Sequence, residues 1–163
     1  MINTTLKWLT LLAVFALTAC ATNTTTKAAM LTGKVQSATL LANYEKFANE
    51  FNRFTLSDDE LSQIKQWPKA LTIEVFFGTW CHDSQREVPR LLKVSANSEQ
   101  LEMRLIALDY RKNDPEKLAQ SKGIKFTPTF IVHLGEKEIG RIVERPQKSL
   151  VFDISDMLNN STK

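Results

Sequence analysis

The chain holds two cysteines, Cys20 and Cys81, and Cys81 stands in the run Trp80-Cys81-His82-Asp83-Ser84. Leu71 to Phe77, just upstream, is almost entirely β-branched and aromatic, the pattern of a strand buried on both faces. A helical pattern follows to about Ala96, with Pro89 inside it. A thiol at the start of a helix faces unpaired backbone amides and the positive end of the helix dipole, which favour the nucleophilic thiolate. His82, when protonated, would add to that effect, whereas Asp83 supports the helix but opposes the thiolate. Ser84 follows three residues after Cys81 on the same helical side, where its hydroxyl could donate to the thiolate. The bland alternative is an inert buried thiol. Cys81, His82 and Asp83 are consecutive and cannot converge on one ion from a helix, so neither a metal nor a cofactor is expected. Trp80 reads as an apolar cover over the thiol and a wall for substrate.

The remaining elements must hold that run in place. Leu40, Tyr44, Phe47, Phe51 and Phe54 recur at steps of four and three, which predicts one amphipathic helix from about residue 38. Ser57-Asp58-Asp59-Glu60 is a capping box that opens a second helix, ended by Pro68. Met103 to Leu108 reads as another buried strand. Asp114-Pro115-Glu116 supplies an N-cap and a first-turn proline for a helix that Gly123 closes. Thr129 to His133 and Glu138 to Val143 form a hairpin through Leu134-Gly135-Glu136-Lys137, with His133 read as sheet surface lacking an obvious partner. Leu150, Phe152, Ile154, Met157 and Leu158 suit a last amphipathic helix. Strand–helix–strand units followed by a hairpin and a helix imply a mixed sheet covered on both faces, an α/β class shared by several folds.

Trp80-Cys81-His82-Asp83-Ser84 resembles the Trp-Cys-x-x-Cys motif of the thioredoxin superfamily, with Ser84 in place of the second cysteine. Gly78-Thr79-Trp80-Cys81 and Glu87-Val88-Pro89 are most similar to the TlpA-type exported thioredoxins. Gly123-Ile124 with Phe126-Thr127-Pro128-Thr129-Phe130 resembles the family's cis-proline segment. The likeness covers about residues 70 to 145. It implies a thioredoxin-like fold, a central mixed sheet flanked by helices, here with an added N-terminal helical segment. It also implies that Thr127–Pro128 is cis and lies beside Cys81, with Trp80, Thr127 and Pro128 contacting an extended substrate. Two departures stand out. The buried Asp that precedes the family's nucleophile by six residues is Val75 here, and the neighbouring Glu74 points to the opposite face of the strand. Glu74 therefore reads as a paired or edge-exposed carboxylate rather than a catalytic one. The other departure is Ser84, which cannot release a mixed disulfide as a second cysteine does. The implied activity is a one-cysteine thiol–disulfide exchange, of isomerase or deglutathionylation type. Its partners would be cysteine-containing envelope proteins or small thiols such as glutathione. The alternative is a redox-inactive binding or chaperone module for extended polypeptides. A tethered metal-delivery role is disfavoured by the single domain cysteine and by the lack of Met-rich or His-rich stretches.

The N-terminus has the pattern of an export signal. Lys7 precedes the apolar run Trp8 to Leu17, which is too short to span a bilayer, and no acidic residue occurs before Cys20. Leu17-Thr18-Ala19-Cys20 resembles the lipobox of bacterial lipoproteins. That likeness implies a signal peptide over 1–19, a lipid on Cys20, and a flexible tether over 20–36 before a domain at 37–163. Ala21 in place of Asp favours the outer membrane, facing the periplasm, in a Gram-negative cell. Loss of Cys20 to lipid would leave Cys81 without an intrachain disulfide partner. A net charge of +3 over 163 residues gives no case for nucleic acid.

Overall fold

The computed structural model describes residues 30–161. In chain order the elements are β1 (Gly33–Val35), α1 (Ser37–Asn43), α2 (Glu45–Arg53), α3 (Asp58–Ile64), β2 (Leu71–Phe77) and α4 (His82–Ala96). They continue with β3 (Leu101–Ala107), α5 (Leu118–Ser121), β4 (Thr129–Leu134), β5 (Lys137–Val143) and α6 (Leu150–Ser161). The five strands form one mixed sheet in the order β1-β3-β2-β4-β5. β2 runs parallel to β3 and antiparallel to β4, so the strand leading to Cys81 is hydrogen-bonded on both sides. This is a thioredoxin-like fold.

Strand alternation divides the core. Leu71, Ile73, Val75 and Phe77 of β2 join Leu105, Phe130, Val132 and helical Leu40, Phe47, Val88, Leu91 and Ile154 in the larger cluster. Phe76, Ile106, Leu108, Ala119 and Ile131 form a smaller one on the opposite face, under α5. Trp67, buried after α3, donates its Nε1–H to Ser155 Oγ of α6 at 3.0 Å. The capping box at Ser57 is present, with Ser57 and Glu60 each accepting the other's backbone N–H.

The structure departs from the sequence reading at four places. β1 falls inside the stretch read as a flexible tether over 20–36, because Gly33, Lys34 and Val35 pair antiparallel with Ala107, Ile106 and Leu105. The predicted first helix is broken at Tyr44, whose extended backbone (φ −126°, ψ 93°) separates α1 from α2 while the apolar stripe still faces the core. Asp114 does gather amides, from Glu116 (3.1 Å), Leu118 (3.0 Å) and Ala119 (2.8 Å). Lys117, in the left-handed region at φ 58°, then delays the helix, so that α5 is a single turn. His133 has a partner after all, Glu74, described below. The signal peptide over 1–19 and Cys20 lie outside the described residues.

Candidate active site

β2 ends at Phe77 and the chain turns through Gly78 and Thr79 into α4, for which Cys81 is the N-cap residue (φ −85°, ψ 126°). The turn is closed by Cys81 N–H to Gly78 O at 3.1 Å, and Cys81 O accepts the first helical bond from Gln85 at 2.9 Å. Gln85 also donates its side-chain amide to Thr79 O at 2.8 Å. These bonds fix the half-buried thiol at the mouth of the helix, as the sequence predicts. Across the site, Thr127–Pro128 is a cis peptide bond, and Cys81 Sγ donates to the Thr127 carbonyl at 3.0 Å. Pro128 O in turn accepts Glu144 N–H at 2.7 Å, which ties this loop to the end of β5. Cys81, Thr127 and Pro128, far apart in sequence, thus meet.

Trp80 closes one side. Its Nε1–H donates to Leu108 O at 3.2 Å, and its ring packs on Tyr110 with centroids 5.0 Å apart. Gly78 is required by this arrangement, since a Cβ there would sit 2.6 Å from Trp80 Cε2. Tyr110 is held by a closed loop: Asp109 accepts the amides of Arg111 and Asn113, both at 2.8 Å, through Oδ1. Those amides, Asn113's foremost, hold the Asp109 carboxyl below its usual range. The sequence reading missed Tyr110; the only signal was an Asp-x-x-x-Asn pair just after a strand.

Ser84 is fully buried, and its Oγ accepts the Gly78 N–H at 3.2 Å at the strand–helix junction, an acceptor role that occupies one lone pair of the hydroxyl. His82 is exposed, next to the thiol in sequence. Asp83 pairs with Arg86 at 3.0 Å and with Arg145 at 3.0 Å, so its charge is engaged from two sides. Arg145 lies 62 residues away, beyond any local pattern. A hydrogen bond to buried Glu87 leads the causes that raise the Arg86 guanidinium above its usual value. Val75 is wholly buried in the apolar core. Glu74 projects to the opposite face, where it meets His133 (3.1 Å) and Lys122 (3.2 Å), the paired carboxylate that alternation implies.

Chemically this is one accessible thiol, bounded by a carbonyl edge and aromatic rings, with no second cysteine and no cluster of metal-ligating side chains among the described residues. No helix among them is long and apolar enough to cross a membrane. A family model described as thioredoxin matches residues 31–154. No curated protein matches the sequence. Among solved structures, a Pseudomonas aeruginosa protein of unknown function superposes with a TM-score of 0.65 at 16% identity, covering 78% of this chain and 93% of that one. An HIV epitope scaffold gives a TM-score of 0.65 at 15% identity with the same coverage. Fasciola hepatica thioredoxin is 21% identical over 71% of this chain and 92% of its own, at a TM-score of 0.45.

Proposed function

The chain belongs to the thioredoxin family, whose fold supports a thiol–disulfide oxidoreductase type of function, and we propose that it performs this exchange with Cys81 alone. The Cys81 thiolate attacks one sulfur of a partner disulfide, forming a Cys81–partner disulfide and releasing the other sulfur as a thiolate. An outside thiolate, from glutathione, a second cysteine of the partner or another protein, then attacks the adduct. It restores the Cys81 thiolate and leaves with the partner's sulfur as a new disulfide. No net electrons stay on the protein, which suits isomerisation or removal of a glutathione cap. The observation that carries this reading is the pairing of Cys81 Sγ with the Thr127 carbonyl at the cis bond, while the residue three positions on is a buried serine bonded to Gly78.

The proposed setting is the cell envelope, with a lipid on Cys20 and the domain facing the periplasm, supported by the lipobox-like Leu17-Thr18-Ala19-Cys20. Its partners would be envelope proteins that carry cysteines, or small thiols. Two measurements test the proposal. Full-length protein in its native envelope should yield adducts that survive non-reducing electrophoresis, collapse with reductant and vanish in Cys81→Ala. A folded protein whose Cys81 reacts with no disulfide would sink the catalytic reading. Radiolabelled palmitate should enter the wild type and not Cys20→Ser; label retained in that variant would reject the anchor.

A further inference from the structure

The register of the sheet fixes where the N-terminal segment joins the domain. β1 runs antiparallel to β3, so Gly33, its first residue, pairs with Ala107 at the last position of β3. Ala107 pairs in turn with Phe77, the last residue of β2, four positions before Cys81. Neighbouring strands lie about 5 Å apart, so Gly33 stands about 10 Å across the sheet from the strand end that leads to the thiol. Trp80 belongs to the same end, because it donates to Leu108 O while Leu108 N–H donates to Phe77 O at 2.7 Å.

The chain is held at that end from Leu31 onward. Leu31 packs on the larger core cluster, and Gly33 takes a left-handed φ of 88° against Pro115, whose Cδ would lie 3.4 Å from a Cβ at position 33. The opposite end of the sheet is far from this entry point. β2 begins at Leu71, six residues before Phe77, or about 20 Å along the strand. Exposed Lys69 precedes it, and Trp67, Pro68, Leu134 and Leu158 line one cavity there. With β1 parallel to β3, the N-terminal segment would have joined the domain at that end instead. Leu31 lies eleven positions after Cys20, and a chain of that length reaches at most about 40 Å. Presenting the opposite end to whatever holds Cys20 would take up about half of that reach, the length of β2.

We infer that a lipid on Cys20 turns the thiol end of the domain toward the bilayer, and that the disulfides Cys81 meets belong to proteins held at the same membrane surface. This rests on the lipid at Cys20 and on Cys81 as the nucleophile. In the exchange, the Cys81 thiolate bonds to one sulfur of the membrane-held disulfide, and the other sulfur leaves as a thiolate. A disulfide tied to the same surface meets Cys81 at the effective concentration of a short linker, in the millimolar range.

The test uses lipidated protein purified from the envelope and reconstituted in vesicles of phosphatidylethanolamine and phosphatidylglycerol. A donor dye on Cys81 is compared with the same dye on Lys69→Cys in a Cys81→Ser background, against an acceptor dye on the lipid headgroups. Energy transfer should be greater from Cys81. Equal or greater transfer from position 69 overturns the orientation while leaving the anchor and the nucleophile intact. Unlabelled protein is then offered a pyridyl disulfide carried on a phospholipid headgroup, or the same disulfide free in solution. A thirty-residue Gly-Ser insertion between Ala29 and Met30 nearly quadruples the eleven-residue reach. It should slow the headgroup adduct about sevenfold and leave the soluble rate unchanged, since effective concentration falls as roughly the −3/2 power of linker length. A headgroup rate unmoved by the insertion overturns the confinement of Cys81 to the membrane surface. Wild type that does not stay on the vesicles overturns the anchor and this inference together, whereas bound protein that forms neither adduct overturns the nucleophile.

Discussion

Ser84→Ala separates a structural hydroxyl from a catalytic one. Ser84 and Gly78 are both buried, and the Ser84 Oγ is the acceptor the structure gives the Gly78 amide, at 3.2 Å. Removing it leaves a buried N–H without a partner, which costs about 1–3 kcal/mol. Against the few kcal/mol that hold a domain of this size together, this is a large loss. With urea slopes of about 1–3 kcal/mol per molar, the midpoint should fall by roughly 1 M. The assay is urea unfolding followed by far-UV circular dichroism, run beside the rate at which Cys81 in the folded protein reacts with a small disulfide. The expected pattern is a lowered midpoint, with a Cys81 rate that does not fall in proportion. Unchanged stability with a strongly reduced Cys81 rate would place the hydroxyl on the thiol and refute the assignment to Gly78.

Gly78→Ala should displace Trp80, because the new Cβ would lie 2.6 to 2.9 Å from three atoms of its ring. The lost bond to Leu108 O and the lost contact with Tyr110 together cost about 1–3 kcal/mol, and near-UV dichroism should report the moved indole; an unaltered spectrum and midpoint would contradict this packing. Asp114→Ala strands three amides that the carboxylate accepts, so unfolding should come about 1–2 kcal/mol earlier, and Asp114→Asn should lose less because one oxygen remains. Burial would raise the Glu50 carboxyl, yet hydrogen bonds and charge from Arg53 and Arg90 outweigh it and hold the group below 4.5. A depressed carboxylate adds stability above about pH 4.5 that is lost as pH falls through its folded value. The urea midpoint should therefore drop on acidification below that point, with a shallower acid slope in Arg90→Gln; parallel slopes would remove Glu50 from the acid response.

Much of this was legible wherever the signal is local. Periodicity gave β2, α4 and the hairpin, and the runs Trp80 to Ser84 and Phe126 to Phe130 implied the cis Thr127–Pro128 bond that lies beside Cys81. Three kinds of feature were not. β1 has three residues and almost no apolar pattern, and it exists because β3 offers an unpaired edge. The break at Tyr44 leaves the apolar stripe intact, so periodicity alone reads through it. Arg145 with Asp83, and Glu74 with His133, join residues 62 and 59 positions apart, and only strand register and loop closure bring them together.

The two departures from the family pattern make physical sense together. In the resemblance, a buried carboxylate in β2 accepts the proton of the second cysteine. That arrangement tolerates the cost of a carboxyl in an apolar interior because the resolving step uses it. Here the second cysteine is Ser84, whose hydroxyl is already engaged by Gly78. A carboxylate at position 75 would then sit wholly buried among Ile73, Phe77 and Phe130 with no thiol to serve, at a cost of several kcal/mol. Val75 fills the space with apolar surface instead. Glu74, the one carboxylate nearby in the strand, stays on the other face with Lys122 and His133, in a pairing that satisfies its charge there. Serine at 84 and valine at 75 are therefore consistent with each other: once internal resolution is gone, stability favours removing the group that assisted it. What remains at the surface is Cys81, and under the proposed one-cysteine exchange the release of an adduct would fall to an outside thiol.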